Sequence, residues 1–229
     1  MSDDLTDFLA RRGPVAGRPL MGLTVLAVED SRFACEALRL LCLRSGARIR
    51  RADCLRSARR HLETYLPSVA IVDLGLPDGS GIELIRDLSG VPAVLATSGD
   101  PSLRGQALAA GARGFLEKPI ENIAAFQSAV LAALPRGLAQ GGRAGSPGDR
   151  IEPDQIALRD DLAHAAALLE RAPDSVGLGY IAQFLSGLAV SAHDQALQEA
   201  AGALARDHGS GVGIVSGLLR DRLASGAAF

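Results

Sequence analysis

A small set of acidic, hydroxyl and amine side chains in the first half of the chain could carry out chemistry together. Each stands directly after a short apolar run, and the members are Glu29, Asp30, Asp73, Thr97 and Lys118. Carboxylates that lie close together repel one another unless a cation joins them, and Mg²⁺ commonly takes one or two carboxylates together with phosphate oxygens. Phosphoryl transfer to a side chain uses a carboxylate nucleophile, a divalent cation, a hydroxyl and an ammonium group. These residue types predict a phosphoryl-transfer site, provided that the fold brings them together.

The lysine of this set is the only lysine in a chain with 24 basic residues. Lysine carries a compact ammonium on a flexible stem, whereas arginine presents a planar fork. In a chain that otherwise uses arginine, the choice at Lys118 indicates a site that needs the ammonium.

Short apolar runs alternate with helical patterns over residues 22–134 and predict the scaffold for these side chains. Strands are predicted at 23–28, 47–51, 69–72, 93–96 and 114–117. Helices are predicted at 33–44, 55–66, 82–88, 103–110 and 123–134. This alternation is typical of an α/β fold with a doubly wound, five-stranded parallel sheet, which binds its ligand at the carboxyl ends of the strands. The five polar residues fall at four of those ends.

The composition changes after residue 134, which indicates a second domain. Residues 135–150 contain five glycines and two prolines and are predicted to form a flexible linker. Residues 151–229 are predicted to form a small all-α bundle, with helices near 154–171, 176–189, 192–206 and 211–224. Residues 1–21 are interpreted as an N-terminal extension.

Charge and hydropathy narrow the classes of partner. The net charge of −2 gives no overall attraction to nucleic acid or to an anionic membrane surface. Residues 151–229 hold 5 basic and 10 acidic residues, with nothing basic between Arg171 and Arg206, which argues against nucleic acid as a partner. We recognise no signal peptide and no stretch near the roughly 20 apolar residues that span a bilayer. We therefore expect a cytoplasmic protein without a membrane partner.

Residues 22–134 resemble the receiver domain of two-component response regulators along the whole of that family's pattern. Val28-Glu29-Asp30-Ser31 is similar to the acidic metal-binding turn, and residues 71–81 are similar to the phosphoacceptor strand with its following loop. Ala96-Thr97-Ser98 is similar to the switch hydroxyl with its small neighbour. Residues 111–119 are similar to the segment that carries the aromatic switch and the lysine before a proline.

The resemblance implies a flavodoxin-like domain in which Asp73 accepts a phosphoryl group from a sensor histidine kinase or a phosphotransfer protein. It also implies that Mg²⁺ is held by Glu29, Asp30, Asp73 and the backbone carbonyl of Gly75. Such a protein signals, and it catalyses only its own phosphorylation and dephosphorylation. The open alternative is a receiver that keeps the fold and no longer takes the phosphoryl group.

The resemblance assigns further roles around the acceptor. Thr97 and Lys118 would contact the phosphoryl oxygens, and Phe115 would turn inward when Thr97 moves. Pro119 would follow a cis peptide bond. Phe115 has a second interpretation, as an ordinary half-buried aromatic residue.

The sequence departs from the family pattern at three places. The acidic pair is Glu-Asp rather than the commoner Asp-Asp, and Phe115 lacks the hydroxyl of the tyrosine often found there. Gly75 and Gly99 stand two residues after the acceptor and the switch threonine. Neither glycine offers a side chain that could shield or orient water, so the lifetime of the phosphoryl group does not follow from the sequence.

One motif in the C-terminal part has two interpretations. His193-Asp194 and Gln198 resemble the His-Asp-x-x-x-Gln box of one histidine-kinase class, in which histidine carries phosphate and glutamine helps to remove it. Alternatively, Ser191 is the N-cap of a helix with Asp194 at its third position, which would put His193 in the first turn. Three outputs stay open: a protein-interaction or homodimerisation bundle, a phosphotransfer or phosphatase bundle that acts through His193 or Gln198, and DNA binding.

Overall fold

The computed structural model describes residues 18–136, residue 138 and residues 149–224. Most of the predicted N-terminal extension and most of the predicted linker lie outside these residues. Within the described part of the chain, no helix is both long enough and apolar enough to cross a membrane.

Five parallel strands form the central sheet. They are β1 (Thr24–Val28), β2 (Arg48–Ala52), β3 (Val69–Asp73), β4 (Ala93–Ser98) and β5 (Gly114–Glu117), in the spatial order β2-β1-β3-β4-β5. Every residue of β3 and β4 is buried, as expected for strands covered on both faces, whereas β2 is an edge with exposed arginines. The predicted five-stranded α/β fold is confirmed. β3 and β4 extend further than predicted and include Asp73, Thr97 and Ser98.

Five helices cover the two faces of the sheet. They are α1 (Arg32–Ser45), α2 (Leu55–Thr64), α3 (Gly81–Asp87), α4 (Arg104–Ala109) and α5 (Ile123–Ala133). Successive strand residues point to opposite faces, so Ala27 and Ile71 pack with α1 and α5, whereas Leu26 and Val72 pack with α2, α3 and α4. A small antiparallel hairpin of Gly75–Leu76 and Gly79–Ser80 follows β3.

The C-terminal part forms four helices around a third core. They are α6 (Gln155–Glu170), α7 (Ser175–Ser191), α8 (Gln195–Arg206) and α9 (His208–Ala224). Apolar residues such as Leu162, Leu185 and Leu204 fill this core, and Phe33 of α1 joins it from the first domain. The predicted all-α bundle is present, and it packs against the α/β domain through this shared core.

The start of α8 differs from the capping interpretation. Asp194, not Ser191, is the N-cap, and its carboxylate accepts a hydrogen bond from Leu197 N at 3.0 Å. Ser191 closes α7 and donates to the Gly187 carbonyl. His193 has φ 55° in the connection between the two helices, so it does not lie in a first helical turn. Both Ser191 and Asp194 are good N-cap residues, and the ion pair of Asp194 with Arg222 of α9 favours Asp194 here.

A buried carboxylate attaches the bundle to the α/β domain. Asp161 of α6 accepts hydrogen bonds from Ser31 Oγ at 2.8 Å, from Arg32 N at 3.0 Å and from Phe33 N at 3.0 Å. The first N–H groups of a helix have no partner within the helix and carry partial positive charge, so the N-terminus of α1 is well suited to an anion. The attachment is therefore directional as well as apolar.

Replacement of this carboxylate should loosen the bundle. Asp161→Ala leaves three donors, two of them buried, without their acceptor, so we expect the free energy of unfolding, measured by urea denaturation, to fall by about 2 to 4 kcal/mol. The matched control is Asp160→Ala, which removes only the exposed ion pair with Arg32 and should change stability by less than about 0.5 kcal/mol. Equal effects of the two substitutions would contradict the assignment of Asp161 as the attachment point.

Candidate functional site

Four strand ends bring the chemically active side chains to one edge of the sheet. Glu29 and Asp30 follow β1, Asp73 is the last residue of β3, and Lys118 follows β5. These four residues line one cavity of about 290 Å³. Their convergence follows from the parallel sheet, because the carboxyl ends of neighbouring parallel strands meet at the same edge.

The three acidic residues have the arrangement of a metal site. Glu29, Asp30 and Asp73 each offer one carboxylate oxygen, and these oxygens lie within 4.8 Å of one another. Gly75, whose carbonyl is the fourth predicted ligand, lines the same cavity. An all-oxygen donor set with an open, solvent-connected side fits a hard cation such as Mg²⁺, which keeps several waters.

Lys118 is the cation that contacts this acidic group. Its Nζ lies 2.8 Å from Glu29 Oε2 and 3.1 Å from Asp73 Oδ2, and all three side chains are buried. Burial by itself would lower the pKa of Lys118, but the charges of Asp73 and Glu29 outweigh that effect and raise the pKa above its ordinary value. Lys118 therefore stays protonated. The peptide bond between Lys118 and Pro119 is cis.

One ammonium does not neutralise three carboxylates, and the pKa values of Glu29 and Asp30 are both raised. Burial and the charge of Asp73 raise the pKa of Asp30 to about 7, although a hydrogen bond from Tyr180 acts in the opposite direction. Burial and Asp73 also raise the pKa of Glu29 well above its ordinary value, against the opposing effect of Lys118. Both shifts favour protonation of this pair in the absence of a metal ion, and a bound cation would oppose it.

The predicted switch residues Thr97 and Phe115 lie on β4 and β5, and neither lines the cavity itself. Thr97 is fully buried, and its Oγ1 has no hydrogen-bond partner among the described residues. A buried hydroxyl without a partner is costly, so a hydrogen bond from this Oγ1 to a ligand oxygen would be favourable. Phe115 is half-buried against the core beneath α4, with the Arg104 guanidinium 5.9 Å from its ring centroid. Its inward turn stays a prediction.

Two residues of α7 that the sequence analysis missed contact residues of this site. Tyr180 Oη donates a 2.7 Å hydrogen bond to Asp30 Oδ2. Gln183 lies against Gly75 so closely that a Cβ at Gly75 would be 2.5 Å from Gln183 Nε2. The signal available in the sequence was the absence of a side chain at Gly75, which leaves room for a group from elsewhere.

The predicted box in the C-terminal part lies apart from this cavity. His193 is largely exposed, and its Nε2 lies 2.6 Å from Glu121 Oε1. Gln198 is exposed on α8. Neither residue lines the cavity that contains Asp73, so the fold does not bring the box to the acceptor.

The geometry agrees with a comparison to known protein families. Residues 25–130 match the family model described as the response regulator receiver domain. This segment belongs to the response regulator receiver family. The receiver covers β1 to α5, and α6–α9 lie beyond the matched segment and are not assigned to a family.

Curated relatives match the receiver alone. The chain is 40% identical over 116 residues to the KDP operon transcriptional regulatory protein KdpE of Escherichia coli, which covers 49% of this chain and 51% of that protein. It is 34% identical over 116 residues to the virulence transcriptional regulatory protein PhoP of Salmonella typhimurium, with 48% and 52% covered. The chain thus spans about half the length of the curated relatives it matches. Both names denote transcriptional regulators, so the comparisons do not support the expectation that argues against nucleic acid as a partner.

Solved structures that resemble part of this chain include a putative response regulator and a chemotaxis protein. A putative response regulator from Chloroflexus aurantiacus is 30% identical with a TM-score of 0.40, and covers 42% of this chain and 85% of that one. Chemotaxis protein CheY4 of Vibrio cholerae is 23% identical with a TM-score of 0.45, and covers 49% and 98%.

The raised pKa of Asp30 predicts how the stability of the metal-free protein depends on pH. The pKa is about 7 in the folded protein and about 3.9 in an unfolded chain. Between these values the folded protein binds a proton that the unfolded chain has lost, so the free energy of unfolding falls as pH rises from about 4 to 7. Asp30→Asn should flatten this slope and stabilise the protein at pH 8 by about 1 to 3 kcal/mol.

Thermal or urea unfolding over this pH range, with a chelator present, measures the effect. Asp87→Asn is the matched control because Asp87 is exposed and paired only with Arg59 in the described structure. The prediction would be contradicted if the free energy of unfolding of the parent rose from pH 4 to 7. It would also be contradicted if the free energy of unfolding of Asp30→Asn changed with pH as steeply as that of the parent.

Proposed function

We propose that this chain is a two-component response regulator whose Asp73 takes a phosphoryl group from a sensor histidine kinase or a phosphotransfer protein, with Mg²⁺ as cofactor. The observation that carries the proposal is the environment of the Asp73 carboxylate, buried between two further acidic residues and the ammonium of Lys118. The unpartnered hydroxyl of Thr97 adds a donor for a phosphoryl oxygen. The receiver family of residues 25–130 supports the same chemistry.

Each residue of the predicted acceptor site has a part in this transfer. Glu29, Asp30, Asp73 and the Gly75 carbonyl would hold Mg²⁺, which supplies positive charge to the phosphoryl oxygens when it is bound. An Asp73 oxygen attacks the phosphorus in line, and the bond from phosphorus to the donor breaks with its electron pair leaving on the donor.

Two neighbouring side chains then receive the new charge. Lys118 exchanges its ion pair with Asp73 for one with a phosphoryl oxygen, because Asp73 has lost its negative charge in the acyl phosphate. The Thr97 hydroxyl donates to a second phosphoryl oxygen, which ends its unsatisfied state.

The contact of α7 with the acceptor site connects phosphorylation to the bundle. Tyr180 holds an oxygen of Asp30, a predicted metal ligand, and α7 lines the cavity that the phosphoryl group would enter. Phosphorylation therefore competes with the docked position of α7 and shifts the bundle toward a released state. The released surface would serve a protein partner, with a second copy of the chain as one form of that partner.

A second candidate output is regulation of transcription through nucleic acid. The names of KdpE and PhoP favour it, whereas the excess of acidic over basic residues in 151–229 argues against direct phosphate contacts by the bundle. Phosphotransfer or phosphate removal through His193 or Gln198 has no support from the geometry, because neither side chain reaches the cavity.

Acetyl phosphate with Mg²⁺ should add one phosphoryl group to the parent protein and none to Asp73→Asn, because asparagine lacks the nucleophilic carboxylate. Intact mass spectrometry measures the addition. Asp87→Asn alters an exposed carboxylate away from the cavity and should match the parent. Parent-level uptake by Asp73→Asn would contradict the proposal, as would a folded parent that neither takes up a phosphoryl group nor binds beryllofluoride.

The release of α7 should be visible in tyrosine fluorescence. The chain has no tryptophan and two tyrosines, so Tyr65→Phe leaves Tyr180 as the single reporter. A tyrosine hydroxyl bonded to a carboxylate is quenched, so Mg²⁺ with beryllofluoride, a mimic of the phosphoryl group, should raise the emission of Tyr180. Tyr180→Phe, which keeps Tyr65 alone, is the control and should show no change. If beryllofluoride binds and the emission of Tyr180 stays constant, the bundle is not coupled to the acceptor site.

A further inference from the structure

Helix α7 covers the two places beside the acceptor where the receiver lacks a side chain. A Cβ at Gly75 would lie 2.5 Å from Gln183 Nε2 and 2.6 Å from its Cδ. A Cβ at Gly99 would lie 3.5 Å from Val190 Cγ2 and 3.6 Å from Gly187 Cα. A side chain at either position would meet α7, so the docked helix supplies atoms that the receiver itself does not.

The face of α7 that meets the receiver follows helical spacing. Tyr180, Gln183, Gly187 and Val190 stand three or four residues apart and so share one side of the helix. Gly187 brings the backbone close to the site, since a Cβ there would lie 3.7 Å from Lys118 Nζ. This face therefore brings a phenol to Asp30 and an amide to Gly75.

Gln183 has the properties of a group that binds water at the mouth of the cavity. Its side chain lines the cavity with Asp73 and Gly75, yet it is solvent-exposed. No hydrogen bond joins its amide to another residue in the described part of the chain. A neutral amide offers both a carbonyl acceptor and an NH₂ donor, so it can accept from a water and donate to a phosphoryl oxygen at once.

We propose that Gln183 positions the water that hydrolyses phosphoryl-Asp73, and that α7 thereby limits the lifetime of the phosphoryl group within the same chain. The proposal rests on the function proposed above for Asp73. The water oxygen bonds to phosphorus, and the bond from phosphorus to the Asp73 oxygen breaks. Asp73 regains its carboxylate, and inorganic phosphate leaves with one water proton while the other passes to solvent.

This role combines with the release of the bundle into one cycle. Phosphorylation shifts α7 away from the site, and hydrolysis proceeds in the fraction of molecules in which α7 has returned. A partner that captures the released bundle would prolong the signal, because it keeps Gln183 away from the acyl phosphate. A helix that only shielded the site would have the opposite effect, since its release would admit water and shorten the lifetime.

The rate at which the phosphoryl group is lost distinguishes these two roles, because they predict changes in opposite directions. The proteins are phosphorylated with acetyl phosphate and Mg²⁺, the donor is removed, and the remaining phosphoprotein is followed by intact mass. Gln183→Met keeps the length and bulk of the side chain without its hydrogen bonds, and we expect decay about 10- to 100-fold slower than in the parent. Gln198→Met alters an exposed glutamine away from the cavity and should decay at the parent rate.

A substitution that loosens the bundle outside the cavity provides an independent test. Asp161 does not line the cavity, and Asp161→Ala weakens the attachment, so this variant should also slow the decay. The double variant with Gln183→Met should be no slower than the slower single variant. The emission of Tyr180 in the unphosphorylated Tyr65→Phe background measures docking directly. We expect Gln183→Met to leave this emission unchanged. If Gln183 served only to hold α7 in place, the substitution would change the emission.

The outcomes distinguish the role proposed for Gln183 from the phosphoacceptor function proposed for Asp73. A parent protein that takes up no phosphoryl group at Asp73 overturns the function proposed for the receiver, and with it the role of Gln183. Uptake at Asp73 followed by equal or faster decay in Gln183→Met, with docking unchanged, overturns the role of Gln183 alone. Faster decay in Asp161→Ala would identify α7 as a shield.

Discussion

The site depends on the charge balance between one buried ammonium and three buried carboxylates. Lys118 lies 2.8 Å from Glu29 and 3.1 Å from Asp73, and it leaves the group with an excess of negative charge. That excess is the reason why the pKa of Asp30 is raised to about 7, and why a divalent cation has a place here. The sheet holds the charges together because the rigid ends of β1, β3 and β5 do not allow them to separate.

The bundle reaches this charged pocket at two points with different chemistry. Asp161 binds the N-terminus of α1 beside the cavity, whereas Tyr180 binds a predicted metal ligand directly. In the proposed function, a phosphoryl group would compete with the second contact and leave the first available, so the bundle would stay close to the receiver after release. Gly187 of α7 also lies close to the receiver, since a Cβ there would make an ordinary contact with Lys118 Nζ at 3.7 Å.

Local signals predicted the helices of both domains but not their junctions. The sequence predicted four C-terminal helices, and the structure has them with ends that differ by up to three residues. The capping interpretation named the wrong N-cap residue for α8, because Ser191 and Asp194 are equally suitable when only the local sequence is considered. What favours Asp194 is Arg222, a residue 28 positions away on another helix. Neighbouring residues carry no information about such a contact.

The sequence alone determined the receiver and the set of residues at its strand ends. Alternating strand and helix patterns define a parallel sheet. Because the carboxyl ends of its strands lie at one edge whatever the details of packing, the sequence already placed Asp73 and Lys118 close together. Only the tertiary structure decided that α7 lies over them. The contact of Tyr180 with Asp30 spans 150 positions in the chain and depends on how two separate cores pack together. Periodicity shows which face of a helix is apolar, whereas the partner of that face is set by the shape and charge of a distant surface.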